Sequence, residues 1–337
     1  MEGVRLPDNL QSLTFGAQFD QTMAGTKLPN CLGSLAFGEQ FNHRVDNFTL
    51  PDSLHSLAFG SWFNQSLEGV SLPNSLQSLS FGYFFNRSMT KVMLPCNLRN
   101  LAFGDRFNQS LEGVSLPNSL QSLTFGAQFN QSMDDVTLPD SLEHLTFGKM
   151  FNQSMAGVRV PDNLKSLTLG EQFNQSMESV RLPNGLQSLA FGDGFNQNME
   201  SVTLPSCLEN LTFDQGLQGM TLPQNLKHLM FGADFNQSIE GMVFQSSLRS
   251  VTFGHSFNHS LERVRLPDSI QSLTFGARFN QIMDDVTLPV NLQRLTFGTE
   301  FNQRMTSRCL SISKALLSVP NSTKVWMTSF CQTISKA

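Results

Sequence analysis

Across 337 residues the formal net charge is −5, and charged side chains make up 15% of the chain. No basic stripe marks a nucleic-acid face, no run of about 18 apolar residues marks a membrane span, and MEGVRLPDNLQSL lacks the apolar core of a secretory leader. The sequence therefore reads as an intracellular, cytoplasmic protein with neither nucleic acid nor membrane as a partner. Phe occurs 30 times against one Tyr and two Trp, a bias that belongs to packing inside rather than to recognition outside.

In chain order, the sequence opens in mid-pattern with VRLPDN, and from Leu10 the pattern recurs. The Phe of an L-x-F-G string falls at Phe15, Phe37, Phe59, Phe81, Phe103, Phe125 and Phe147, and continues as Leu169, Phe191, Phe213, Phe231, Phe253, Phe275 and Phe297. Every step is 22 residues except the 18 from Phe213 to Phe231. Self-similarity at a fixed period of this length marks a solenoid. Fourteen repeats run from Leu10 to about Met305 with no linker between them, so residues 1–308 are expected to form one solenoid and 309–337 an aperiodic C-terminal tail or cap. Entry directly in register at Val4–Pro7, without an atypical first repeat, points to head-to-tail self-association or to a repeat fragment of a larger multidomain protein.

One repeat shows the logic. In the copy that begins at Leu120, the apolar positions are Leu120, Leu123, Phe125, Phe129, Met133, Val136 and Leu138. The alternation in SLTF predicts a short strand, and that in Val136-Thr137-Leu138 a second one, with Gly126 and Pro139 at the bends. The spacing of Phe129, Met133 and Val136 fits a helical turn as well as irregular backbone. Asn130, Ser132 and Asp134-Asp135 are poor helix-interior residues, which favours the irregular form. The expectation is a β-rich solenoid of 14 coils with short strands on two sides of each coil. One coil alone buries too little to offset ordering 22 backbones, so neighbours must cover one another.

Three successive coils depart from the small or polar pair that usually follows the Gly. They read Ser61-Trp62, Tyr83-Phe84 and Asp105-Arg106, with Lys149-Met150 two coils on. Coils about 4.8 Å apart would line up Trp62, Phe84 and Arg106, with Tyr83 and Met150 beside them. Trp, Tyr and Arg are the side chains that most often dominate interface energy, so these five are the partner-binding candidates. The plainer alternative is a shield over the coil edge.

The second Phe is followed by Asn in nearly every copy, including Asn64, Asn86, Asn108, Asn130, Asn152 and Asn174. We expect an inward structural ladder, because an amide can satisfy backbone groups that a bend leaves unpaired; the N-Q-S matches to a glycosylation acceptor fall out of the period. An acidic column (Asp46, Glu68, Glu112, Asp134, Glu178, Glu200, Glu240, Glu262, Asp284) reads as a solvated edge rather than a calcium site. Outward Ser and Thr on the first strand, such as Ser122-Thr124 and Ser272-Thr274, raise an ice-binding ladder as a remote reading; Ala36, Met230, His144 and Arg294 interrupt it. Cys31 and Cys96 lie three coils apart, about 14 Å, beyond disulfide reach.

In the short repeat the GxxF segment is missing, which places Asp214 in the Asn column and Leu217 in the Met column and predicts a weak point between the ninth and eleventh repeats. His255 and His259 flank Phe257-Asn258 without the further ligands that zinc requires. Past Met305 the register fails, and Ser311–Val319 carries a short helical stripe expected to cover the last coil. No nucleophile elbow or phosphate loop occurs, so no catalytic residue, metal or cofactor is assigned.

The string L-P-x-S-L-x-x-L-x-F-G-x-x-F-N-Q, carried in register by Leu116 to Met133 and Leu138 to Met155, resembles the FNIP repeat, a 22-residue member of the leucine-rich-repeat class. One departure is consistent: Ser132, Ser154 and Ser176 stand where that repeat has Pro. The resemblance implies a solenoid used for protein contacts, with no particular partner. The function expected is a non-catalytic scaffold for protein–protein interaction; a self-assembling structural element is the alternative.

Overall fold

The computed structural model describes residues 5–46, 48–214, 221–303 and the backbone of 316–318. The chain forms two compact units, Met1–Leu186 and Gln187–Ala337. Both are built the same way: one strand per coil, laid parallel to the strand of the coil before.

In the first unit the strands are β1 (Ser12–Thr14), β2 (Ser34–Ala36), β3 (Ser56–Ala58), β4 (Ser78–Ser80), β5 (Asn100–Ala102), β6 (Ser122–Thr124), β7 (His144–Thr146) and β8 (Ser166–Thr168). They pair in chain order with a register of one period, for example Ser122 with His144 and Leu123 with Leu145. In the second unit β9 (Ser188–Ala190), β10 (Asn210–Phe213), β11 (His228–Phe231), β12 (Ser250–Thr252), β13 (Ser272–Thr274), β14 (Arg294–Thr296) and β15 (Leu316–Ser318) do the same. The short repeat shifts the offset only where it falls: Asn210 pairs with His228 and Phe213 with Phe231. No helix occurs among the described residues.

The seven apolar columns are the core. Leu120, Leu123, Phe125, Phe129, Met133, Val136 and Leu138 are all buried. The two Phe of a coil stack on each other, Phe125 on Phe129 at 3.9 Å between centroids, and each also stacks on its counterpart one coil on, Phe125 on Phe147 at 5.4 Å. Stacked aromatic pairs add to the area they bury, and because the stack runs through successive coils, each coil's rings are packed by those of its neighbours.

Three expectations are corrected. Val136-Thr137-Leu138 is not a strand. Two tight turns bracket it, closed by Val136 N–H to Met133 O and Leu142 N–H to Pro139 O, and it exchanges no coil-to-coil backbone bond among the described residues. The second backbone ladder lies instead just past the Gly, where Phe84 donates to Ser61 O, Arg106 to Tyr83 O, Gln128 to Asp105 O and Met150 to Ala127 O. In the tail, Leu316–Ser318 is a strand rather than part of a helix; it pairs with β14 at an offset of 22, Leu295 against Leu317, while the rest of the stripe lies outside the described residues. The Asn ladder is half-buried to exposed rather than inward.

Candidate functional site

The row that interrupts the small residues after the Gly lies wholly in the first unit, on the ladder just described. Each coil contributes one N–H and one carbonyl there, so the side chains project at coil spacing. Trp62 stacks on Phe84 with centroids 4.8 Å apart and planes at 28°. Tyr83 meets Phe84 edge-on at 4.8 Å. The Arg106 guanidinium carbon lies 4.5 Å from the Phe84 ring centroid and 5.5 Å from that of Tyr83. Phe84 is thus held between an indole and a guanidinium and is half-buried by them, whereas Trp62 is 55% exposed and Tyr83 41%. Met150, two coils beyond Arg106, is 43% exposed beside Lys149, which pairs with Glu171 at 2.8 Å. The structure brings Trp62, Tyr83, Phe84 and Arg106 into one cluster and leaves Met150 separate along the same row.

The Asn positions do different work. Asn130 Oδ1 accepts from the Asn152 backbone N–H at 2.9 Å and from Gln153 Nε2 at 3.0 Å. The same bond to the backbone N–H joins Asn42 to Asn64, Asn64 to Asn86, Asn86 to Asn108, Asn108 to Asn130 and Asn152 to Asn174. The amide acts on backbone one coil on, not on the next amide.

In the acidic column, Glu68, Glu112 and Asp134 are exposed, and their backbone N–H groups donate to Ser66, Ser110 and Ser132 hydroxyls. On the strand face His228 Nδ1 lies 2.8 Å from Ser250 Oγ beside the half-exposed Met230, so the Ser/Thr rows stay interrupted in space as in sequence. Among the described residues no three His, Cys, Asp or Glu are grouped to hold a metal ion, and Cys31, Cys96 and Cys207 are free and exposed. No helix of the described residues is long and apolar enough to cross a membrane. Sequence reasoning placed Asp214 in the Asn column; its carboxylate instead receives the Asp234 N–H at 3.0 Å, in the place a backbone carbonyl holds in other coils.

One parallel strand per coil, inward Leu and Phe columns and a 22-residue rise define a leucine-rich-repeat solenoid, a repeat scaffold. The FNIP Repeat family matches 13 times in overlapping spans between residues 19 and 310, and the chain belongs to that family. Among solved structures, CroV588, described as a novel circular LRR protein, is 42% identical with a TM-score of 0.79, over 93% of this chain and 50% of the other. This chain thus spans about half the length of that protein. An internalin from Listeria monocytogenes shares the fold at 15% identity and a TM-score of 0.60, over 92% of this chain and 87% of its own. The comparison with curated proteins returns no match.

Proposed function

We propose that this solenoid is a non-catalytic protein-interaction scaffold and that Trp62, Tyr83, Phe84 and Arg106 form the centre of its docking surface, with Met150 at its margin. The carrying observation is the exposed Trp62 and Tyr83 around a half-buried Phe84 capped by Arg106. Rigid aromatics lose little conformational freedom on binding, and an indole or guanidinium so placed is the usual anchor of an interface. The partner is a protein rather than a nucleic acid, because the cluster offers one cation and no basic track.

The test compares the full chain with Trp62→Ala, Tyr83→Ala and Arg106→Ala as affinity baits, with urea unfolding of each. Proteins recovered by the wild type should be lost from the variants, each substitution costing about 2 kcal/mol or more in binding, while the unfolding midpoint stays put. An unchanged set of recovered proteins with a falling midpoint would make the cluster a packing shield.

A further inference from the structure

At the short coil Asp214 faces Asp193 on the coil before it and Asp234 on the coil after it. Elsewhere the second residue after the Gly donates its N–H to a carbonyl one coil back, as Ser256 does to Ala233 O at 2.9 Å. Asp234 donates its N–H instead to the side chain of Asp214, at 3.0 Å from Oδ1, in a repeat four residues shorter than the others. Asp214 stands where neighbouring coils have Gly, and the next coil packs so closely that a Cβ on Gly232 would lie 2.5 Å from Asp214 Oδ1. From the other side, Asp193 reaches past the short coil, its Oδ1 3.4 Å from the Ala233 N–H, 40 residues on. Asp214 is fully buried, and its Oδ2 has no hydrogen-bond partner. The charged groups that face it are Asp193 on the preceding coil and Asp234 on the following one; the neighbouring QGLQGM contains no ionisable residue, and Lys227 is engaged by Glu209 at 2.6 Å.

We propose that Asp214 makes the short coil a proton-responsive joint: protonated, it closes the eleventh coil onto the tenth, and ionised, it loosens that contact. A protonated Oδ2 becomes a donor and removes the third negative charge, while Oδ1 still accepts from Asp234. Burial first, and then the charges of Asp193 and Asp234, push the carboxyl up to about 6 against the backbone N–H groups of Phe235 and Asp234, which favour the anion. Because the folded value lies above the unfolded one, the stabilisation is complete below the ordinary carboxylate range and is lost as pH rises through about 6.

The experiment is amide exchange on the full chain, wild type and Asp214→Asn, at about pH 5 and about pH 7.5, with each rate divided by its intrinsic rate. In the wild type, amides of β10 and β11 should open about ten-fold more at the higher pH, and those of β6 should not. Asp214→Asn should hold both strands closed at both pH values. An equal pH difference in Asp214→Asn, or none in the wild type, overturns the proposal. If Asp214→Asn does not fold, Asp193→Asn decides: a smaller pH difference supports the joint, and an unchanged one refutes it. Protection of β10 and β11 by calcium chloride at neutral pH would make the three carboxylates a cation site and overturn the proton reading.

Discussion

A methyl group added at Gly126 would lie 2.3 Å from the carbonyl oxygen of Gly104 and 2.4 Å from its carbon. The Gly of the F-G string is therefore required by backbone approaching backbone; the Gly residues with positive φ are others, Gly25, Gly69, Gly113 and Gly241. Gly16 heads the same column and would meet nothing within 4 Å. Gly126→Ala should cost more than about 2 kcal/mol, since the neighbour is main chain that cannot rotate away, and Gly16→Ala should be close to neutral in urea unfolding; equal losses would contradict the close-approach argument. Asn130 is the polar counterpart. Asn130→Ala strands the Asn152 N–H and the Gln153 amide, a loss of about 1–3 kcal/mol. Asn130→Asp keeps an acceptor and should lose less; thermal unfolding of the two variants orders them.

At the scale of the coil, the period carried most of the fold. The inward residue of each strand and both Phe columns are buried in every described coil after the first, because a 22-residue repeat with fixed apolar positions leaves only one set of faces to stack. The second ladder was not legible: Val-x-Leu alternates like a strand, but its turn bonds tie it locally, and the ladder past the Gly uses backbone groups that leave no trace in side-chain pattern. The strand at Leu316–Ser318 was missed for a related reason. Its flanks lose the Pro, Gly and Phe columns, and Leu317 alone continues the Leu column, in register with Leu295. The row at Trp62 was legible as a break in an otherwise regular column, although the Arg106 contact that caps Phe84 needs coordinates. The missing rung of the short coil was legible in the period. There Phe213 and Phe231 tilt by 50°, whereas Phe125 and Phe147 are within 4° of parallel, and the second Phe column has no member between Phe195 and Phe235. The role of Asp214 follows only from the coordinates, where its carboxylate accepts the Asp234 N–H.

For the whole molecule, membership of the FNIP repeat family and the leucine-rich-repeat fold make the chain a repeat scaffold, and the docking surface proposed for it lies at departures from the repeat. The columns that stack admit little change, so variation collects at the outward positions, and the Trp62 cluster is such a place. All of this rests on the parallel register of one coil per period. Paired cysteines in a cysteine-free background test it most directly. Ser122→Cys with His144→Cys, and Asn210→Cys with His228→Cys, occupy facing positions on adjacent strands and should close as intramolecular disulfides under mild oxidation. Ser122→Cys with Ser166→Cys sits two coils apart, about 9.6 Å, beyond the roughly 7 Å a disulfide spans, and should stay reduced. Cross-linking of the two-coil pair, or reduced thiols at either adjacent pair, would contradict the register and the solenoid built on it.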